Sequence, residues 1–352
     1  MKKSFRFSMY AVVGAAMALL AQSAVAASGD VAASAPTDLS LTRIKEDGGL
    51  AHIAPTQAFA AARAQALAAG PITNAGVYDL AYYGGKVMTA PTIYAIYWAP
   101  PKLQNGVATG WSTAYQNLQT QFLTDFSGNG LAKNNTQYYQ TVSGVKTAIS
   151  SITKVGGVYV DTTAYPASGC KDSATPAGCL SDAQLQAEIK KVIALKGWPA
   201  SGINNLYFIY TAKGEGSCFG SDCANVTYCA YHSAYGTQAA PTLYAHVPYA
   251  NDAGCHVPKS PNNNIDADSA ASITSHELIE AITDPLVGFA TVYGPPLAWY
   301  NSSAGEIGDI CNAQVGTNSY GGGTANQSWN GHLYELQMEY SNAKHACVQT
   351  GP

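Results

Sequence analysis

Residues 266–285, DADSAASITSHELIEAITDP, contain the helix around which we expect the fold to form. Pro285 forces this helix to end, because proline cannot continue a helical hydrogen-bond pattern. Its apolar residues cover most of the helical surface: Ala270, Ile273, Leu278, Ile279, Ala281 and Ile282. A helix that is apolar on most sides lies in a protein interior, so the sequence predicts a buried helix here.

The same helix carries a group of ionisable residues. His276 and Glu280 are four residues apart and therefore lie on the same side of the helix. Glu277 is turned by about 100° from His276, and Asp284 follows about two turns later. Burial of these side chains without partners would cost several kcal/mol for each ion. A divalent cation bound between them would offset that cost.

A second acidic motif, GEIGDIC at residues 305–311, offers further ligands. In zinc peptidases of the glutamate type, a downstream helix supplies a third ligand and a nearby aspartate that orients a liganding histidine. By this analogy the expected metal ligands are His276, Glu280 and Glu306. Asp309 and Asp284 are expected to contact these ligands and orient them without binding the metal themselves.

Glu277 is the expected catalytic residue. In H-E-x-x-H enzymes the glutamate after the first histidine holds the metal-bound water. The metal lowers the pKa of that water, Glu277 takes its proton, and the hydroxide attacks a polarised carbonyl. The expected function is therefore that of a secreted metal-dependent hydrolase, and a zinc metallopeptidase is the favoured type.

Ions other than zinc, and a helix that binds no ion, are alternatives to the predicted zinc site. Zn²⁺ is the expected ion, although two histidines with one glutamate form the commoner catalytic set. The added carboxylate makes the site harder, so Ca²⁺, Mn²⁺ and Mg²⁺ are alternatives. An H-E-x-x-E pattern also occurs by chance on an ordinary solvated helix. Since Glu280 stands where a peptidase has its second histidine, metal binding does not by itself imply proteolysis.

The first 26 residues resemble a secretory signal peptide, with basic residues before an apolar run and small residues near Ala26. We expect an exported protein, periplasmic or extracellular, that does not insert into a membrane after signal cleavage. Residues 27–75 are rich in alanine and are interpreted as a pro-region or linker at the periphery. Residues 76–352 are expected to form a single domain.

Composition limits the partners. A net charge of -4 with 11% charged residues argues against binding to nucleic acid. Peptides or proteins are the candidate substrates, and cell-wall polysaccharide is a candidate partner. In an exported chain the 8 cysteines predict four disulfides, with Cys170–Cys179 as the favoured local pair. Zinc binding by cysteines is disfavoured because no pair has C-x-x-C spacing.

Periodicity predicts the main secondary-structure elements. Strands are expected at residues 92–100, 138–142, 157–160, 204–212 and 243–250, and helices at residues 111–126 and 181–197. Residues 218–229 are expected to form a loop held by a disulfide. His232, His246 and His332 are interpreted as structural residues.

Several of these stretches are similar to the phosphate-induced, EXORDIUM-like family of secreted plant proteins and its bacterial relatives. The similar segments are YYGGKVMTAPTIYAIYW, NNLYFIYTA, CAYH, SITSHELIEAITDPL, EIGDIC and YSNAKHACV, spread over residues 82–348. The resemblance implies an extracellular or wall-associated protein and places the two acidic motifs in one site.

The expected fold is α+β: a zincin-like mixed sheet backed by helices, stabilised by disulfides, with a peripheral N-terminal segment. The alternative to a hydrolase is a non-catalytic extracellular or cell-wall-associated protein with a structural or vestigial metal site.

Overall fold

A computed structural model describes residues 41–68, 78–291 and 293–352, which form eighteen strands and five α-helices. The strands are β1 (Thr42–Ile44), β2 (Leu50–Pro55), β3 (Ala81–Tyr82), β4 (Thr92–Trp98), β5 (Tyr139–Val142), β6 (Val145–Ala148), β7 (Lys154–Asp161), β8 (Cys179–Leu180), β9 (Asn205–Thr211), β10 (Gly216–Phe219), β11 (Asp222–Cys223), β12 (Tyr228–Thr237), β13 (Ala240–Val247), β14 (Trp299–Tyr300), β15 (Gln327–Trp329), β16 (His332–Tyr334), β17 (Glu339–Ser341) and β18 (Ala346–Val348). The helices are α1 (Gln57–Ala68), α2 (Thr113–Asp125), α3 (Gly130–Asn134), α4 (Asp182–Lys196) and α5 (Ile265–Thr283). The predicted signal peptide, residues 1–26, lies outside the described residues.

The centre of the fold is a seven-stranded mixed sheet with the order β1-β2-β12-β13-β9-β4-β7. Neighbouring strands in the series β1, β2, β12 and β13 pair antiparallel, whereas neighbours in the series β13, β9, β4 and β7 pair parallel. The protein is thus a mixed α/β protein with a large mixed sheet, which confirms the sheet backed by helices that the sequence predicts.

Helices cover both faces of this sheet. In β4, Ile93, Ala95 and Tyr97 face one core, which α2 and α5 complete. The alternate residues of β4 face a second core, to which α4 contributes Leu185 and Ile189. Because the central strands are buried on both faces, their sequences are nearly continuous apolar runs.

The predicted helices form with defined ends. Ser181 caps α4 by accepting a hydrogen bond from the Gln184 N–H, and the Gln184 side-chain oxygen accepts one from the Ser181 N–H. Gly197 ends α4 in the left-handed region, at a φ of 62°. Asn264 caps α5, which is buried over nearly its whole length and ends before Pro285. The prediction of a buried helix at residues 266–284 is confirmed.

The N-terminal part of the chain differs from its expected peripheral position. Residues 27–40 and 69–77 lie outside the described residues, but residues 42–55 form β1 and β2 of the central sheet. β2 lies between β1 and β12, and Ala51 and Ile53 are fully buried. The sequence did not predict β2 because the neighbouring segment is rich in alanine and because its partner strand β12 is far away in the sequence.

Four disulfides join the cysteines: Cys170–Cys179, Cys218–Cys223, Cys229–Cys255 and Cys311–Cys347. The predicted pair Cys170–Cys179 is confirmed. The pair Cys218–Cys223 closes the β10–β11 hairpin within the loop that the sequence predicts to be held by a disulfide. Among the described residues, no helix is both long enough and apolar enough to cross a membrane.

The integration of β2 is testable by a matched pair of substitutions. Ile53→Ala should lower the free energy of unfolding by about 2–5 kcal/mol, because the fully buried side chain leaves a cavity in the core. Ile44→Ala on β1 removes the same atoms from a side chain that is 71% exposed, and should change stability by less than about 0.5 kcal/mol. Urea unfolding measures both. Equal, small effects would place β2 at the periphery after all.

Candidate metal centre

A buried cluster of ionisable side chains lies between α5 and the antiparallel half of the sheet. We call it the carboxylate–histidine cluster; its members are His52, His232, His276, Glu277, Glu280, Asp284, Glu306, Asp309 and Glu339. None of these residues is more than 6% exposed. Six carboxyl groups and three imidazoles thus share one part of the protein interior. Such a concentration of charge must be compensated by protons, by hydrogen bonds or by a cation.

The strands contribute two histidines that face each other. His52 of β2 and His232 of β12 are directly opposed in the antiparallel register, and their ring centroids are 5.7 Å apart. Opposed residues of an antiparallel pair project to the same face of the sheet. On both strands this is the face that α5 covers, since Ala54 and Ala234 of the same alternation pack in the α5 core.

Helix α5 brings the H-E-x-x-E residues to this face. Glu280 is at the centre: its Oε1 accepts a hydrogen bond from the Asp309 N–H at 3.1 Å, and His276 Nε2 is 3.1 Å from the same oxygen. Its other oxygen, Oε2, has no hydrogen-bond partner among the described residues and lies 3.8 Å from His232 Nδ1.

The GEIGDIC segment fits closely against α5 because two of its residues are glycine. Gly305 has a φ of 98°, in the region that favours glycine, and a Cβ there would collide with the Asp309 carboxylate. A Cβ on Gly308 would lie 2.7 Å from His276 Nδ1 and 2.9 Å from Glu280 Oε1. These glycines therefore let the segment place Glu306 and Asp309 in the cluster.

His232 is held in one orientation by Glu277. Its Nδ1 lies 3.0 Å from Glu277 Oε2, and when Glu277 is ionised the ring carries its proton on Nδ1, because a carboxylate oxygen accepts. Burial, followed by the charges of His52 and His276, holds the pKa of His232 well below its ordinary value. The neutral ring then presents a lone pair on Nε2, which has no hydrogen-bond partner in the described part of the chain.

Glu306 faces that lone pair. Its Oε2 lies 3.6 Å from His232 Nε2, and its Oε1 lies 3.5 Å from His52 Nδ1. Neither carboxyl oxygen has a hydrogen-bond partner within the described residues, and the side chain is fully buried. Burial, and then the neighbouring Asp284 and Glu280, raise the pKa of Glu306 well above its ordinary value. A buried carboxyl group with two unpartnered oxygens lacks a cation or a proton.

His52 and Asp309 form a close ion pair near Glu280. His52 Nε2 lies 2.7 Å from Asp309 Oδ2, which also accepts a hydrogen bond from the Glu306 N–H at 2.8 Å. Burial opposes both charges, yet their attraction outweighs it, so the pKa of His52 is raised and that of Asp309 is lowered. Asp309 Oδ1 has no hydrogen-bond partner among the residues described.

His276 is oriented by Gln337. The Gln337 amide nitrogen donates to the Gly308 carbonyl at 2.7 Å and lies 3.0 Å from His276 Nδ1. Nδ1 therefore accepts, and the ring carries its proton on Nε2, directed at Glu280. For His276 to bind a metal through Nε2, the proton must move to Nδ1 and Gln337 must turn its carbonyl oxygen towards it.

Two groups of three residues have one ligand atom each within 4.8 Å of one another. We call His232, Glu280 and Glu306 the first ion site, and His52, Glu280 and Asp309 the second ion site. The expected ligands Glu280 and Glu306 thus come together in the first ion site, where His232 occupies the place expected for His276. Asp309, expected as a supporting residue, lies in the second ion site beside His276.

The other expected residues lie next to these sites. Glu277 positions His232. Asp284 Oδ1 accepts a hydrogen bond from the Ala298 N–H at 2.8 Å, and so ties the end of α5 to the segment before β14. His246 lies on the opposite sheet face, where it contacts Thr211 and Ser217, and His332 pairs with Asp125.

A small cavity reaches the cluster from the surface. Its volume is about 60 Å³, room for a few water molecules, and its walls include His276, Gln337, Ser272 and the Cys229–Cys255 disulfide. His276 is the cluster residue that contributes to these walls. Glu277 and Glu306 lie behind it and are fully buried.

Sequence reasoning did not find His52 and assigned His232 a structural role. Both histidines stand in strands, 180 residues apart in the chain, so no local spacing links them. The available signal was a histidine within an apolar, strand-like hexapeptide, LAHIAP, and another within YCAYHSAY. Gln337 gave no signal at all.

Comparisons with protein-family models, with curated proteins and with solved structures found no match. The resemblance to the EXORDIUM-like family therefore stays a prediction from the motifs.

Asp284 should contribute stability to the metal-free protein that is lost as the pH rises from about 4 to about 8. Burial raises the pKa of Asp284 to about 8, although the Ala298 N–H opposes this. The folded state then keeps a proton that the unfolded chain releases near pH 4, so the stabilisation is full below that pH and is lost towards pH 8.

Asp284→Asn should reduce the difference in unfolding free energy between pH 5 and pH 8 by an amount on the order of a few kcal/mol. Urea unfolding in the presence of a chelator measures this difference. The control is Glu46→Gln, which removes an exposed carboxyl group. A difference that Asp284→Asn leaves unchanged would contradict the assignment.

Proposed function

We propose that the protein is an exported metalloprotein that binds a divalent transition-metal ion at the first ion site. One observation carries the proposal: His232, Glu280 and Glu306 each offer a ligand atom within 4.8 Å of the others, and the buried atoms His232 Nε2, Glu280 Oε2 and Glu306 Oε2 have no hydrogen-bond partners among the described residues. The distance of 3.6 Å between His232 Nε2 and Glu306 Oε2 is close to the separation of two ligands of one ion. Ligation by all three would satisfy every one of these atoms.

The surroundings of His232 support ligation. A metal-binding histidine usually donates its other N–H to a carboxylate, which fixes the ring and makes it a better ligand. Glu277 holds His232 in this way. In this proposal Glu277 is a positioning residue for His232, which differs from the role of general base that the H-E motif suggests.

The ligand types favour zinc. One imidazole and two carboxylates suit Zn²⁺ and Mn²⁺, whereas Ca²⁺ and Mg²⁺ prefer sites made of oxygen atoms alone. The four disulfides suit an oxidising compartment, which supports export. The zincin-like architecture and the EXORDIUM-like relationship are part of the proposal, and they rest on the helix and acidic motifs.

Metal-dependent hydrolysis is the second candidate function. It is favoured by the cavity that reaches His276, because water and a small substrate group could approach the cluster there. The full burial of Glu277 and Glu306 favours a small ester or amide over a folded protein as substrate. A wall polysaccharide or a protein would then be a binding partner of the surface.

Addition of Zn²⁺ to the chelator-treated protein should raise its stability by about 2.7 kcal/mol when the free ion is at 100 times its dissociation constant. Glu306→Gln keeps the size of the side chain but removes the anionic ligand, and should weaken binding at least tenfold, by about 1.4 kcal/mol or more. Isothermal titration calorimetry and thermal unfolding measure both effects.

Two variants serve as controls for this experiment. His246→Asn alters a buried histidine on the opposite sheet face, and Glu46→Gln removes an exposed carboxyl group; both should bind Zn²⁺ as the wild type does. A wild-type protein that binds no Zn²⁺, or a Glu306→Gln variant with unchanged affinity, would refute the proposal.

Hydrolysis can be tested with 4-nitrophenyl acetate and with casein. For the second candidate we expect the Zn²⁺-loaded protein to release nitrophenol and to leave casein intact, and chelation should abolish turnover. Glu277→Gln can still accept the His232 N–H, so metal binding should persist at saturating Zn²⁺ while turnover falls if Glu277 moves protons. Turnover that survives chelation would exclude a metal-dependent hydrolase.

A further inference from the structure

We infer that the cluster binds two divalent ions, bridged by Glu280, with the second ion held by His52, Glu280 and Asp309. This inference rests on the proposed function, because it adds an ion beside the first ion site. It makes the centre dinuclear, and it gives His52 and Asp309 a role as ligands.

The two oxygens of Glu280 point to different partners. Oε2 lies 3.8 Å from Nδ1 of the His232 ring, whereas Oε1 lies 3.1 Å from His276 Nε2 and accepts the Asp309 N–H. Glu280 is also the residue that the two groups of potential ligands share. A carboxylate placed between two ligand sets can bind one ion with each oxygen.

The second ion site has an unpartnered polar atom of its own. Asp309 Oδ1 is buried and forms no hydrogen bond with a described residue, and it lies 3.9 Å from His276 Nε2, whose proton is directed at Glu280 Oε1. His52 Nε2 and Asp309 Oδ2 are paired at 2.7 Å, so an ion bound here would take the place of the His52 proton between them.

Glu306 connects the two sites. Its Oε2 faces His232 Nε2, and its Oε1 lies 3.5 Å from His52 Nδ1. If His52 binds the second ion through Nε2, its Nδ1–H can donate to Glu306, which then orients His52 as Glu277 orients His232. Each liganding histidine thus has a carboxylate on its other nitrogen.

The charge of the cluster also favours two ions. One divalent ion balances two of the six buried carboxylates, and two ions balance four. Dinuclear hydrolytic sites commonly hold their metals about 3.5–4 Å apart, joined by carboxylate or water bridges. If the histidines are neutral, two ions leave two carboxyl groups that must be neutralised by protons. Asp284 and Glu339 are the two carboxyl groups of the cluster that neither belong to an ion site nor orient one of its histidines.

The number of bound ions tests this inference directly. The chelator-treated full chain is equilibrated with Zn²⁺, freed of excess ion by gel filtration, and analysed by elemental mass spectrometry. We expect two Zn²⁺ per chain in the wild type and in the control His246→Asn. We expect one in His52→Asn and one in His232→Asn, and at least a tenfold loss of affinity for both ions in Glu280→Gln.

Three outcomes are distinguishable. Two ions per wild-type chain, with one lost in each histidine variant, support the inference. One ion, lost in His232→Asn and retained in His52→Asn, overturns the second ion while the proposed function stands. No bound ion overturns both.

A spectroscopic measurement guards against a variant that fails to fold. Wild-type protein loaded with Mn²⁺ should show the exchange-coupled electron paramagnetic resonance spectrum of a bridged pair, and Asp309→Asn, a more conservative change than His52→Asn, should show that of an isolated ion. An uncoupled spectrum at full Mn²⁺ loading of the wild type would contradict the bridge. Far-ultraviolet circular dichroism checks that each variant is folded.

Discussion

The burial of six carboxyl groups and three histidines between α5 and the sheet is the constraint on which the rest of the structure depends. Moving such groups out of water is expensive unless each charge meets an opposite charge, and truncating one partner of a buried ion pair typically costs about 3–5 kcal/mol. The interior here contains more acidic groups than histidines. A protein with this interior either keeps several carboxyl groups protonated or binds cations there. The unpartnered atoms of His232, Glu280 and Glu306 favour cations.

The surrounding fold is arranged to hold these groups still. The antiparallel register places His52 opposite His232, and α5 brings Glu280 close to both histidines. The glycines of the GEIGDIC segment permit its close approach to α5. The Cys311–Cys347 disulfide then ties the end of that segment to β18, and Cys229–Cys255 ties the start of β12 to the turn before α5. Side chains from four distant parts of the chain are thus held close together by the fold.

The sequence predicts the local parts of this arrangement and misses the long-range ones. Helix α5, the capped helix α4, the buried strands β4 and β9 and the acidic GEIGDIC motif follow from periodicity, capping and composition. The approach of His232 to Glu280 and Glu306 does not, because it arises from the pairing of a strand within the sheet. His52 was not predicted as a site residue either. Its strand has no local pattern strong enough to distinguish it from the alanine-rich segment beside it. Residues that meet only through sheet register leave no spacing signal in the chain.

The account makes Glu306 and His232 ligands of one ion, with His276 beside them as the residue that orients Glu280. The most direct test is a crystal structure of the protein grown with Zn²⁺, with anomalous diffraction recorded on both sides of the zinc absorption edge. The account predicts an anomalous peak about 2.0–2.2 Å from His232 Nε2 and from the Glu280 and Glu306 oxygens. A peak bound instead by His276 Nε2, with Gln337 rotated and Glu306 turned away, would contradict it, as would the absence of any peak in the cluster.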